Sequence, residues 1–309
     1  MKRLTTAALA FVLAGCSAAI PARVTAPAAP LAPESAGASV SVYDPASALR
    51  TPLDVLGGAP LLRTLTIALF DAPLSSADKV YIALDGIQLL TGGGAVPFST
   101  NYRPQVVNLL DLQDASLQIN GKAPLGVYTG IRFIINTAGS NLVTGGVTMP
   151  IVWGTPGHPV IGSIVAIDVP VSFAILANGK ERVSLDFNVL QSVRFANGTA
   201  YVQPTVSGSA AAAEIHGNVA NKAGKPVTGA AVVVTDVLGR VLNVTTTNAR
   251  GAFTLHALPP GFCTVAVRNT FVSAGGETLT ATGNDANASA AQGVVLSPND
   301  DLDLGSLID

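Results

Sequence analysis

The side chains best suited to chemistry are Asp71, Asp111, Asp114, Asp168 and Asp186, the three histidines and the single tryptophan. A pair of carboxylates can act as general acid and base, which would make the chain a hydrolase or transferase. Yet Asp71 stands just before Ala72-Pro73, and Asp111 sits in Asn108-Leu109-Leu110-Asp111-Leu112, at the start of a short helical pattern. Aspartates in such places ordinarily accept backbone N–H groups and cap a turn, and that role is the expectation here. His158 lies between Gly157 and Pro159, where a loop is expected, while His216 and His256 fall in or beside strands. None has i,i+4 spacing to another histidine or a neighbouring Cys-x-x-Cys, so no metal and no cofactor is expected. Asp300, Asp301 and Asp303 lack the glycine and distal glutamate of an EF-hand loop and read as solvated terminal charge. Neither a Gly-x-Ser-x-Gly elbow nor a phosphate-cradling glycine loop occurs. Trp153, flanked by Pro150, Gly154 and Pro156, is either a stacking platform for a sugar ring or a plug in the core, and the core is favoured.

Cys16 has a different kind of chemistry. It follows a basic start, Met1-Lys2-Arg3, and an apolar stretch from Leu4 to Ala14. That stretch is shorter than the roughly 20 apolar residues of a membrane span, so residues 1–15 read as a cleaved signal peptide. Leu13-Ala14-Gly15-Cys16 resembles the lipobox of bacterial lipoproteins. The resemblance implies acylation of the Cys16 thiol and a membrane partner held through lipid, each buried CH2 contributing about 0.8 kcal/mol. In the Gram-negative members, Ser17 in place of aspartate after the cysteine implies delivery to the outer membrane, hence a location in the cell envelope.

Composition excludes some classes. Charged residues are 12 % of the chain, against roughly 25 % in ordinary soluble domains. Removing residues 1–15 takes away Lys2 and Arg3, which makes the formal charge of −2 more negative still. Nucleic acid is therefore not an expected partner, because its binding calls for a clustered basic face. With Cys16 acylated, Cys263 is the one remaining thiol, and stability must come from packing.

Residues 16–60 are rich in Ala, Pro and Ser and read as a flexible tether. Beyond them the pattern is all-β, with two consecutive β-sandwich domains at 61–208 and 213–309. Leu65, Ile67 and Leu69 alternate with Thr66, Ala68 and Phe70, as do Val80, Ile82 and Leu84 with their neighbours. Further strands are expected at 127–135, 164–173, 182–189 and 200–206. Turns are expected at Gly92-Gly93-Gly94, Asn120-Gly121, Asn178-Gly179 and Asn197-Gly198. Only 108–116 reads as helical.

The blocks Leu65–Pro73, Asn108–Leu112, Gly126–Arg132 and Ser184–Val189 with Ser192-Val193, in that order, resemble a domain of unknown function, DUF4382, found in secreted bacterial lipoproteins. Asp71, Asp111 and Asp186 all lie in these blocks, so the resemblance makes them candidate binding residues, beside Trp153, a candidate from its own Pro- and Gly-flanked setting. From about 213 to 270 the chain is similar to the carboxypeptidase regulatory-like domain, a prealbumin-type sandwich. Its signature is carried by Gly229-Ala230-Ala231-Val232, Asn248, Gly251, Phe253 and Pro260-Gly261-Phe262, with Asn248 and Phe262 replacing the usual Asp and Tyr. Together these features predict a non-enzymatic envelope lipoprotein that presents its sandwiches to a protein or glycan ligand or acts as a spacer.

Overall fold

The computed structural model describes residues 38–45, 61–74, 76–113, 115–268, 270–273, 276, 278–281 and 291–308. Cys16, the signal segment, most of the tether and Asp114 lie outside the described residues.

The first lobe opens with β1 (Ser39–Val42), β2 (Leu62–Asp71), β3 (Lys79–Thr91), β4 (Gly94–Pro97), β5 (Ser99–Thr100) and β6 (Gln105–Asn108). A single 3-10 turn at Leu109–Leu112 stands where a longer helix was expected. Then follow β7 (Leu117–Pro124), β8 (Gly126–Thr144), β9 (Val147–Thr155), β10 (His158–Val160), β11 (Ile164–Ile175) and β12 (Glu181–Phe187). One helical turn, α1 (Val189–Ser192), leads into β13 (Val193–Ala196), β14 (Thr199–Val202) and β15 (Val206–Ser209).

A large sheet runs β1-β11-β8-β9-β14-β13, with β3 also paired to β8. It packs over a second sheet of order β15-β12-β2-β7-β5. Alternation supplies the core between them: Leu65, Ile67 and Leu69 from β2, Val183 and Leu185 from β12, and Ile131, Phe133 and Ile135 from β8 are all buried. Three more sequence expectations change, the first being the single strand at 200–206, which Pro204 and its neighbours divide between β14 and β15. Residues 39–42, read as tether, pair antiparallel with β11 and extend the large sheet. Asn120-Gly121 is not a turn but lies inside β7, where a Cβ on Gly121 would stand 2.6 Å from the Phe98 ring and the Ser99 carbonyl. Glycine is there for close approach, a role that its dipeptide does not reveal. Asn197-Gly198 is the expected hairpin turn, both residues having positive φ (51° and 74°).

The second lobe contains β16 (Ala213–Ala220), β17 (Ala231–Thr235), β18 (Val241–Thr246), β19 (Ala252–Leu258), β20 (Gly261–Arg268), β21 (Thr270–Val272), β22 (Thr278–Thr280), β23 (Gln292–Leu296) and β24 (Asp301–Ile308). A sheet β19-β16-β24 faces a sheet β18-β17-β20-β23 across Ile215, Val232, Val234, Phe253, Leu255, Val265 and Val267. The chain is therefore all-β, two sandwiches in succession. They are not beads on a string, because the first lobe's buried cluster continues into Ala231, Val233, Val244 and Leu279 of the second. In β17 the odd positions face this shared core and the even ones face the second lobe's own core.

Candidate functional site

Two of the acids that the sequence singled out, Asp71 and Asp186, lie where the lobes meet. β12 runs parallel to β2, with Asp186 opposite Phe70 and Phe187 opposite Asp71. Because Leu65, Ile67 and Leu69 take the inward face of β2, Phe70 and Asp186 fall on the face turned toward the second lobe. Asp71 and Asp186 are each only 2 % exposed, and Asn188 and Asn243 only 3 %.

Polar groups buried so deeply need partners, and here the amides supply most of them, while Asp71 Oδ2 and Asp186 Oδ1 have none among the described residues. The Asp71 carboxylate accepts the Val189 N–H at 3.0 Å. Asn188 caps the first turn of α1 by accepting the Gln191 N–H, also at 3.0 Å. Its amide nitrogen crosses the boundary to donate to the Asn243 carbonyl oxygen at 2.8 Å and to the Val244 backbone carbonyl at 3.0 Å. The Asn243 amide nitrogen donates back to Asp186 Oδ2 at 2.9 Å and to the His256 carbonyl at 3.0 Å. Two amides and a carboxylate thus interlock β12, α1, β18 and β19.

His256 adds a second fastening. Its ring stacks on Phe70, centroids 4.2 Å apart and planes inclined by 14°. Nε2 lies 3.2 Å from the Gln113 carbonyl of the first lobe, and Nδ1 lies 3.0 Å from Glu214 Oε2. Both neighbours only accept, so a ring protonated on both nitrogens satisfies both contacts. A β-bulge, with Ala257 at φ 55°, sits beside His256 in β19, a device that re-aims side chains at such places.

Charge follows burial. Desolvation, then the neighbouring Asp186, hold the Asp71 carboxyl well above its usual range. Burial pushes Asp186 up to about 6, against the opposing Asn243 hydrogen bond and the His256 charge. His256 is also raised: burial opposes its charge, and the Glu214 carboxylate overrides that. Glu214 is lowered, first by its hydrogen bond to His256.

The remaining candidates are elsewhere. Trp153, weighed as a stacking platform, is 1 % exposed in β9 and belongs to the first lobe's core. Asp111 is exposed and accepts from the Asn108 amide at 2.8 Å, while the Asn108 carbonyl oxygen receives the Val80 N–H at 3.0 Å. It steadies the residue that ties the 3-10 turn to β3 and does not join Asp71 and Asp186. Asp168 forms a two-pronged ion pair with Arg132, at 2.6 and 2.7 Å, across β11 and β8. His158 is exposed in the short strand β10, where a loop was expected. Cys263 is buried, and burial pushes its thiol up to about 11, so it is an unreactive core residue. A polar cleft of about 200 Å³ opens beside the junction, lined by Phe70, Arg182, Ser184, Glu214, His256 and Asp300 among others. It is smaller than the roughly 300–1,000 Å³ of ordinary ligand pockets.

Sequence reasoning missed Asn188, Asn243, His256 and Glu214. Asn188 lies inside the Ser184–Val189 block, but its partner Asn243 belongs to the other sandwich, and no spacing rule relates them.

Residues 63–204 match the family described as domain of unknown function DUF4382, and residues 214–303 match the carboxypeptidase regulatory-like domain. No curated protein matches the chain. Among solved structures, the Bacillus anthracis TIE protein aligns at 13 % identity and TM-score 0.25, covering 80 % of this chain and 33 % of that one, so the chain spans about a third of its length. The major pilin subunit BcpA of Bacillus cereus aligns at 11 % identity and TM-score 0.24, covering 81 % of this chain and 70 % of the pilin. The shaft pilin SpaA of Lactobacillus rhamnosus GG aligns at 11 % identity and TM-score 0.24, covering 81 % and 97 % respectively.

Proposed function

From a chain in which a DUF4382 domain, residues 63–204, is followed by a carboxypeptidase regulatory-like domain, residues 214–303, we propose a non-enzymatic lipoprotein of the cell envelope. Cys16 carries the lipid, the Ala/Pro-rich segment lifts the folded part off the outer membrane, and the two sandwiches act as one rigid unit for binding or spacing. The observation that carries this reading is the use made of Asp71 and Asp186. Asp186 accepts the Asn243 amide across the lobe boundary and Asp71 accepts the Val189 N–H within the first lobe, each only 2 % exposed, whereas acid–base catalysis needs a carboxyl within reach of a substrate proton. The small size of the adjoining cleft favours a ligand met by the outer surface, a protein or a glycan, over an engulfed small molecule.

Two measurements test the proposal. Radiolabelled palmitate should be incorporated by cells expressing the wild type and not by those expressing Cys16→Ser. Asp71→Ala and Asp186→Ala should lower the melting temperature and make the chain easier to cut between Ser209 and Ala213. Hydrolytic turnover that vanished in either variant at an unchanged melting temperature would reverse the assignment.

A further inference from the structure

The outward face of the β19-β16-β24 sheet carries a second cluster, beyond the junction. On β16, Ile215 and Val219 point into the second lobe's core, which leaves Glu214 and His216 together on the opposite face. β24 runs parallel to β16 and sets Asp301 beside Glu214 and Asp303 beside His216. Its own Leu302 and Leu304 pack against the core, so both aspartates face outward as well. His216 Nδ1 lies 3.0 Å from Asp301 Oδ1, and Nε2 lies 3.8 Å from Asp303 Oδ2. One donor atom each from Glu214, His216 and Asp301 falls within 4.8 Å of the others.

That spacing suits a shared ion. Zinc bonds of about 2.1 Å place the ligand atoms of a tetrahedral site about 3.4 Å apart, so small side-chain movements close the shell. The surroundings supply what ligands need in turn. His256 binds Glu214 Oε2 at 3.0 Å, and a carboxylate keeps acceptor capacity after one such bond. The Gly305 N–H fixes Asp303 through Oδ1 at 2.7 Å, leaving Oδ2 toward the far nitrogen of the His216 ring. An imidazole that ligates through one nitrogen and faces a carboxylate with the other is the usual arrangement of a histidine on zinc. The donor set decides the kind of ion. Carboxylates alone would suit calcium or magnesium, but an imidazole among them favours a borderline metal. Charge agrees, since among the described residues Asp301 and Asp303 have no ion-pair partner besides His216.

We propose that Glu214, His216 and Asp301 bind a zinc ion, with Asp303 orienting His216 and water filling the exposed coordination positions. The ion would pin β24 to β16. Through Glu214 it would also touch the contact that holds His256 at the lobe junction.

The test uses the full-length chain in detergent, stripped with EDTA, dialysed and titrated calorimetrically with zinc chloride. One ion per chain should bind at micromolar concentration or below, with calcium and magnesium chlorides far weaker. His216→Gln and Asp301→Asn should each weaken binding at least tenfold. Asp303→Asn should cost roughly tenfold, as loss of an orienting partner does. His158→Gln, at an exposed histidine outside the cluster, should bind as the wild type. Zinc should raise the melting temperature of the wild type and not of Asp301→Asn. Since Asp301 is 72 % exposed, that variant is the one that decides should His216→Gln fold poorly. The proposal fails if zinc does not bind, if calcium binds equally well, or if Asp301→Asn binds zinc as the wild type does.

Discussion

One face of the β19-β16-β24 sheet presents the same residue types in two settings. At the β19 side, His256 and Glu214 lie against the first lobe, near the buried Asp186 and Asn243. At the β24 side, Asp301 and Asp303 stand in solvent beside a half-buried His216. Burial is what separates them. A polar group shut away from water must be bonded or it costs roughly 1–3 kcal/mol, so the junction's two amides bond each other and Asp186. The carboxyl oxygens left unbonded, Asp71 Oδ2 and Asp186 Oδ1, go with the raised pKa values of both acids. In solvent the same groups stay hydrated at little cost and remain available to something that arrives from outside. The buried half fastens the molecule, and the exposed half is where a ligand can still be met.

The largest effect should come from Asn243→Ala. One amide serves Asp186, Asn188 and the His256 carbonyl, and its removal strands all three in a space that water enters poorly. The expected loss is roughly 4 kcal/mol, read as a lower urea midpoint. A change below about 1 kcal/mol would mean that the shared apolar core, through Val233 and Val244, does the fastening alone.

Next in size is a pH effect. Asp186 has a folded pKa of about 6, above its ordinary 3.8, and Asp71 moves the same way. A raised carboxyl favours the fold while protonated, so its contribution is present at low pH and is lost as pH rises through about 6. His256 is raised too, and its contribution is likewise lost as pH rises through its folded value. Glu214 is lowered from 4.5, so its contribution disappears as pH falls through the folded value. Stability should therefore decline from pH 5 toward pH 7.5, by roughly 1 kcal/mol on account of Asp186, whose full contribution of roughly 3 kcal/mol is present only below its ordinary value of 3.8. In Asp186→Asn, urea midpoints at those two pH values should differ much less. An unchanged slope would shift the effect to Asp71 and His256.

How much of this was legible beforehand depends on range. Period-two alternation located β2, β3, β8 and β11, because burial on one face is written locally. Asn120-Gly121 misled because the same dipeptide serves a turn or a close aromatic contact, and only Phe98, distant in sequence, decides between them. The strand at 39–42 was hidden by its Ala- and Pro-rich surroundings. Among the site residues, Asp71 and Asp186 were named as candidate binding residues, and the structure buries both near the junction. Asn243, the partner of Asp186, was not named, since it lies across a lobe boundary where neither periodicity nor motif spacing applies. His216 with Asp301 failed for the same reason: a parallel pairing of two strands far apart in sequence makes neighbours that no i,i+4 rule finds.

Asp111→Ala extends the contrast within the DUF4382 blocks. Asp111 shares a family block pattern with Asp71 and Asp186, yet it is exposed and holds only the Asn108 side chain. Its loss should cost roughly 0.5 kcal/mol, against several for Asn243→Ala. A comparable loss in the two variants would show that the 3-10 turn supports the junction through the Gln113 carbonyl.

The smallest effect, in the absence of metal, is expected for Asp301→Asn. The substitution removes the partner of His216 Nδ1 at 3.0 Å, an exposed pair of the kind worth roughly 0.2–1 kcal/mol. It also removes one of three carboxylates crowded onto a small area, which relieves repulsion of similar size. The two terms oppose each other, so the metal-free urea midpoint should move by no more than about 0.5 kcal/mol. Raising the ionic strength should shrink even that, because the screening length falls to about 3 Å at 1 M salt. A near-silent metal-free variant that loses its response to zinc would place the value of Asp301 in ligation and not in the fold. A large metal-free loss would instead place Asp301 with Asn243, as a fastening residue, and would erase the distinction between the two sides of the sheet.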